Sequence, residues 1–261
     1  MNDKIHTWVL ENGLHPIQQT ILVDRPGHLV AKVETTTIDV VVKAPLHDRE
    51  VAANARLAAA GVPVPRILAA GNGYLMMEWI EGEGLSSASP NSAQLEAGRL
   101  LRRVNELGGG PPYQGNATFT EWMAGWLNHA LQWWEPGPKR TREIWAWFEE
   151  LRPILDTRGQ HLMLMDGRPD HFLVRDAKIV AVIDVSELCP GDGVMDLAVM
   201  GVSDPVLLPG VLAGYGPPAP DRELLDFYLL LRRLAGAELH LTLGNPALAG
   251  RILRLVQEDQ R

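Results

Sequence analysis

The reading of this chain turns on Leu164-Met165-Asp166-Gly167-Arg168-Pro169-Asp170-His171-Phe172-Leu173-Val174, followed closely by Ile183-Asp184-Val185-Ser186. Asp166, His171 and Asp184 are ionisable or metal-competent groups set among apolar neighbours. Between the two pieces, residues 172–174 and 179–183 are short apolar runs around the polar turn Arg175-Asp176-Ala177-Lys178, the pattern of a β-hairpin. A hairpin returns its two ends to each other. The pattern therefore predicts His171 near Asp184, with Asp166 on the loop that leads in. Three such groups can hold a divalent cation and orient a hydroxyl.

Outward to the N-terminus, residues 17–23, 29–33 and 38–42 read as three strands, with Asp24-Arg25-Pro26-Gly27 as the turn between the first two. Lys43 closes the third, strongly β-branched run. Residues 47–60 form an alanine-rich helical stretch bearing Glu50 and ended by Gly61. By themselves, a lysine at a strand end is an ordinary snorkelling edge residue and Glu50 an ordinary solvated carboxylate. The prolines of Gly61-Val62-Pro63-Val64-Pro65 stop the helix and start an extended run. A strand over 74–80 contains Met77, Glu78 and Ile80, and Glu81-Gly82-Glu83-Gly84 is a flexible break after it.

Beyond that break, residues 92–107 place Ala97, Leu100, Leu101, Val104 and Leu107 on one helical face. Gly108-Gly109-Gly110-Pro111-Pro112 ends the helix in a loop. Trp122, Trp126, Trp133 and Trp134 fall on one predicted helix and Trp145 and Trp147 on the next, with a break at Glu135-Pro136-Gly137-Pro138. Tryptophans here either pack helices or stack on a ligand ring. Glu121, His129 and Glu135 are candidate substrate contacts, each read in the first place as an exposed surface residue. Asp221 caps a long apolar helix from Arg222, and Pro246 starts another.

The totals bound the function classes. A chain of 261 residues with 46% hydrophobic content can bury a large core. Its net charge of -8 argues against a nucleic-acid partner, because phosphate contacts need a basic face. That acidity suits a cationic substrate and is equally ordinary for a soluble protein. Cys189 is the single cysteine, so no disulfide forms within the chain. The N-terminal segment lacks a long apolar core and no run is long enough to span a bilayer, so the expectation is a cytoplasmic protein without a membrane partner.

The frame Asp166-x-x-x-x-His171, apolar strand, turn, Ile183-Asp184 resembles the catalytic segment of the aminoglycoside phosphotransferase family, the small-molecule branch of the protein-kinase-like fold. That family reads His-Gly-Asp-x-x-x-x-Asn there; Leu164-Met165 stand in place of His-Gly and His171 in place of Asn. Macrolide-phosphorylating members also carry His at that last place. The likeness extends to Val62-Pro63-Val64-Pro65-x-x-Leu68, to Gly191-Asp192-x-x-x-Asp196-Leu197-Ala198, and to the run from Gly214-Tyr215-Gly216 through Pro220, Glu223 and Leu224.

The resemblance implies an α+β, bilobal fold. Residues 1–80 would form a nucleotide-binding lobe of antiparallel sheet with one helix. Residues 81–261 would form a mainly helical lobe carrying the catalytic hairpin and substrate site. It implies transfer of the γ-phosphoryl of ATP or GTP to a hydroxyl of a small molecule, an aminoglycoside or macrolide antibiotic among the candidates. Asp166 would be the catalytic carboxylate. Lys43, paired with Glu50, would contact the phosphates. Met77, Glu78 and Ile80 would meet the adenine edge, and His171 and Asp184 would hold Mg²⁺. Asp196 would hydrogen-bond the catalytic-loop backbone. The eleven residues between Asp184 and Asp196 leave too short an activation segment for a protein substrate. Leu164-Met165 and the single glycine of the 24–27 turn keep a second reading open, a catalytically idle nucleotide- or ligand-binding protein. The acceptor and the oligomeric state are left undetermined by the sequence.

Overall fold

The structure, a computed structural model, describes residues 2–109, 115, 118–202 and 204–258. Residues 110–112 of the expected 108–112 loop lie outside the described residues. In chain order the elements are α1 (Asn2–Glu11), β1 (Pro16–Arg25), β2 (His28–Thr35), β3 (Val40–Ala44), α2 (Asp48–Ala59), β4 (Ile67–Gly71), β5 (Tyr74–Glu78) and β6 (Glu83–Gly84). They continue as α3 (Asn91–Asn105), α4 (Phe119–Trp134), α5 (Pro138–Leu155), β7 (His161–Met163), a 3₁₀ turn at Pro169–His171, β8 (Phe172–Arg175) and β9 (Lys178–Val182). The last are β10 (Cys189–Gly191), α6 (Gly193–Met200), α7 (Leu208–Tyr215), α8 (Arg222–Thr242) and α9 (Pro246–Glu258). No described helix is long and apolar enough to cross a membrane.

Contacts divide the chain into two compact units, Met1–Gly84 with His171–Glu187, and Leu85–Asp170 with Leu188–Arg261. In the first, five antiparallel strands run in the order β1-β2-β3-β5-β4. Alternation along β2 sends Leu29, Ala31 and Val33 to the buried face, where Val40, Val42 and Met76 join them. Ile5, Trp8 and Val9 of α1, spaced for one helical face, complete this core. That helix was not expected, although its i, i+3, i+4 spacing is visible in the sequence. Residues 81–84 also differ from the flexible break that was read there. Glu83 and Gly84 pair with Val174 and Leu173 of β8. The hairpin β8–β9 turns at Asp176 and Ala177, both with positive φ. This tight two-residue turn suits right-twisted strands.

The second unit is mainly helical. Helices α3 and α7 approach so closely that a Cβ on Gly98 would clash with the Val211 carbonyl, and one on Gly214 with that of Leu95. Thr118 and Glu121 form a reciprocal capping box at the start of α4. Most tryptophans serve packing. Trp122 is buried, Trp147 meets Phe227 edge-on, and Trp133 lies against Ala237, Ala249 and Ile252. Strands β7 and β10 pair antiparallel and frame the loop that starts at Leu164.

Candidate active site

Four of the residues singled out by sequence meet within the first unit. Lys43, near the end of β3, has its Nζ 2.5 Å from Glu50 Oε1 and 3.2 Å from Asp184 Oδ1. Glu50 is buried in the first turn of α2. Asp184 follows β9 and takes a left-handed backbone, φ 56°. A hydrogen bond from the Ile183 amide to the His171 carbonyl, 2.9 Å, ties the hairpin ends together. The buried His171 ring has Nε2 3.8 Å from Asp184 Oδ2. One cation is thus flanked by two carboxylates, and the second carboxylate faces an imidazole.

The electrostatics follow from this geometry. Burial pushes the Asp184 carboxyl up, but the Lys43 charge, the His171 charge and the Lys43 hydrogen bond outweigh it and hold the group below the usual carboxylate range. His28, at the start of β2, faces the same cluster. Burial, then the Arg25 charge, lowers its pKa, against the pull of Asp184. A lone histidine after a turn carries no sequence signal of this placement.

The second unit holds the loop that begins at Leu164. The amides of Leu164 and Met165 donate to the two oxygens of Asp196, at 2.9 and 3.0 Å. Asn105 Nδ2 donates to the same carboxylate at 3.1 Å. Asp196 is fully buried in α6, and that burial raises its pKa to about 6 against the three donors. The cap of α6 is Asp192, whose carboxylate accepts from the Val194 amide; Asp196 sits inside the helix. Leu164 is buried and lies against Gly167, where an added Cβ would sit 3.0 Å from Leu164 Cδ1. Met165 adopts φ 65°.

Asp166 is partly exposed on this loop. Its amide donates to Leu164 O, and its carbonyl accepts from the Arg168 amide, both at 2.8 Å. Arg168 has Nε 3.3 Å from Asp166 Oδ1 and 3.9 Å from Asp170 Oδ1. Arg232, on α8, was not singled out by sequence. Its Nη1 lies 3.9 Å from Met165 Sδ, and its guanidinium carbon 5.4 Å from the Trp126 ring centroid. An Arg-Arg pair within an apolar helix was the only available hint.

Met77 pairs in the β3–β5 ladder, and the Glu78 amide donates to Arg66 O while its carboxylate accepts from the Arg66 amide. Among the described residues the Ile80 backbone has no hydrogen-bond partner. Glu121 and Glu135 serve the ends of α4, and His129 pairs with Glu238 at 3.0 Å. A cavity of about 680 Å³ opens among α5, α7, α8 and α9, lined by Arg140, Trp147, Leu208, Asp226, Leu229 and Arg233. Of the residues singled out from the sequence it is lined by Trp147, and it contains none of Lys43, Glu50, Asp166, His171 or Asp184.

An antiparallel sheet bearing a lysine–glutamate pair, together with a helical unit and an aspartate-bearing loop, defines an α+β protein of the protein-kinase-like class. A family profile described as "Phosphotransferase enzyme family" matches residues 21–228, and the chain belongs to that family. No curated protein matches the sequence. Among solved structures, the chain is similar to a putative fructosamine-3-kinase from Thermobifida fusca, with 19% identity, 98% of each chain covered and a TM-score of 0.69. It is also similar to the macrolide 2'-phosphotransferase MphH from Brachybacterium faecium, with 18% identity, 99% of this chain and 98% of that one covered, and a TM-score of 0.66. Aminoglycoside phosphotransferase APH(4)-Ia aligns over 100% of both chains at 16% identity, TM-score 0.71.

Proposed function

We propose that the protein transfers the γ-phosphoryl group of ATP or GTP to a hydroxyl of a small molecule, as a cytoplasmic enzyme. The observation that carries this reading is Lys43 held between Glu50 and Asp184, in a chain of the phosphotransferase family. Such a lysine is fixed in place to meet phosphate oxygens. The uncommitted Ile80 backbone supports a place for the base edge just beyond β5, next to Met77 and Glu78.

Asp166 is the proton acceptor in this reading. The acceptor oxygen forms its bond to the γ-phosphorus, the bond to the β-bridging oxygen breaks, the nucleoside diphosphate leaves, and the hydroxyl proton passes to the Asp166 carboxylate. Asp196 keeps the loop ready by holding the amides of Leu164 and Met165. Asp184 stays ionised and offers a carboxylate oxygen, the donor a hard cation prefers; His171 lies beside its second oxygen. Asp184 would supply the oxygen donor for Mg²⁺, and His171, a softer nitrogen donor, would complete the set as the neutral imidazole. When bound, the ion neutralises charge on the phosphates. The idle alternative draws on Leu164-Met165; against it, both amides of that pair are engaged as a formed loop requires.

The test is nucleotide consumption with Mg²⁺ and a panel of hydroxyl acceptors that includes an aminoglycoside and a macrolide. Asp166→Ala is expected to lower kcat by roughly 10²- to 10⁴-fold, the range for a lost general base, with an unchanged melting temperature. Equal consumption by wild type and Asp166→Ala would overturn the reading.

A further inference from the structure

Resting on that phosphotransferase reading, we infer that Arg232 is the anchor for an oxyanion on the acceptor, so that the preferred acceptors are hydroxy compounds bearing a carboxylate or phosphate. Arg232 Nε is buried without a hydrogen-bond partner, and among the described residues no carboxylate oxygen comes within 4.0 Å of its nitrogens. Among the described residues its one hydrogen bond goes to the Met165 thioether, a weak acceptor. A guanidinium keeps its charge under all ordinary conditions and is costly to bury without an anionic partner.

The neighbours do not supply that partner. Asp196 already spends its oxygens on Leu164, Met165 and Asn105. Asp166 takes Arg168 at 3.3 Å. Asp166 and Asp196 face Arg232 at longer range, with Arg168 and Cys189. Burial, the largest influence, works against the charge. The planar fork lies by Trp126, which in turn packs on Trp122 with centroids 5.4 Å apart. A flat cation braced by an aromatic wall, beside the catalytic-loop aspartate, is built to take a carboxylate or phosphate in two parallel hydrogen bonds. The same charge repels a polycation, so aminoglycosides are poor acceptors on this account.

Two measurements on the full chain test the assignment. In the first, thermal stability is followed with malate or inorganic phosphate against chloride at equal ionic strength, for wild type and Arg232→Gln. A saturable stabilisation in wild type, lost in Arg232→Gln, is expected; equal shifts or none would overturn the inference. The melting temperature of Arg232→Met without added anion is expected to equal or exceed that of wild type, because a buried charge with no carboxylate in hydrogen-bond contact has been removed. A fall of several degrees would make Arg232 a purely structural residue.

In the second, nucleotide consumption is compared for gluconate, glucose 6-phosphate, glucose and an aminoglycoside. The anionic acceptors are expected to exceed glucose by at least tenfold in kcat/KM. Arg232→Gln should erase that preference through KM, and Arg232→Lys should restore part of it. Gluconate and glucose 6-phosphate separate the two oxyanion sources. Preference for the neutral or cationic acceptor, or a raised KM for nucleotide in Arg232→Gln, sinks the inference while phosphotransfer stands. Consumption that is insensitive to Asp166→Ala sinks the underlying reading instead.

Discussion

Lys43 lies between two carboxylates, and its neighbours show what its removal would cost. Glu50 is 3% exposed, and removing the ammonium would leave its carboxylate buried. Breaking such a pair costs about 3–5 kcal/mol. Lys43→Met is therefore expected to lower unfolding free energy by about that amount in urea titrations, and Lys43→Met combined with Glu50→Gln to recover a large part. Additive losses would show that the two side chains do not interact. Asp196 has a signature in pH. Its folded pKa, about 6, lies above the ordinary value of 3.8, so the folded state holds the proton more tightly. Stability from this group is present below the ordinary value and lost as pH rises from about 4 to 6, by about 3 kcal/mol. Asp196→Asn is expected to flatten that slope, seen by denaturation at several pH values. Asp184 works the other way. Its depressed pKa gives stability above the ordinary carboxylate range that is lost as pH falls through the depressed value.

Among the elements, α3 and α7 provide the sharpest test. Gly98 and Gly214 let two backbones touch, so Gly98→Ala cannot show the usual gain of a helical glycine-to-alanine change. It is expected to lower the melting temperature by several degrees, whereas Gly125→Ala, where nothing lies within 4 Å of an added Cβ, should be neutral or stabilising. At this scale the sequence was informative where periodicity and punctuation agree. The hairpin, α2 with its Gly61 stop, α3 and the two tryptophan-bearing helices all read correctly in kind. Helix α1 escaped because its apolar stripe is only Ile5, Trp8 and Val9. Strands β6, β7 and β10 escaped because two or three residues carry no period; each exists through the strand it pairs with. The ionisable residues of the hairpin and β3 stood out in the sequence because each lies within a short local pattern. Arg232 and His28 were not, because their neighbours are brought in by tertiary packing alone.

For the whole molecule, ligand binding and stability are linked. A nucleotide that binds only the folded chain at a hundred times its Kd adds about 2.7 kcal/mol. A non-hydrolysable ATP analogue with Mg²⁺ is expected to raise the melting temperature, and chelation by EDTA to remove most of the gain; Asp184→Asn should abolish the chelator's effect. A shift indifferent to EDTA would remove Mg²⁺ from the account. The folding of the chain also has a consequence for dissection. Because 171–187 departs from its sequence neighbours to join the sheet-bearing unit, no single cut in the gene separates the two parts. A fragment stopping at residue 84 would keep Lys43 and Glu50 but forfeit Asp184, His171 and the strand β8 that β6 pairs with. The sheet-bearing unit is thus discontinuous in the gene, and any attempt to express it as a module must carry the distant hairpin along.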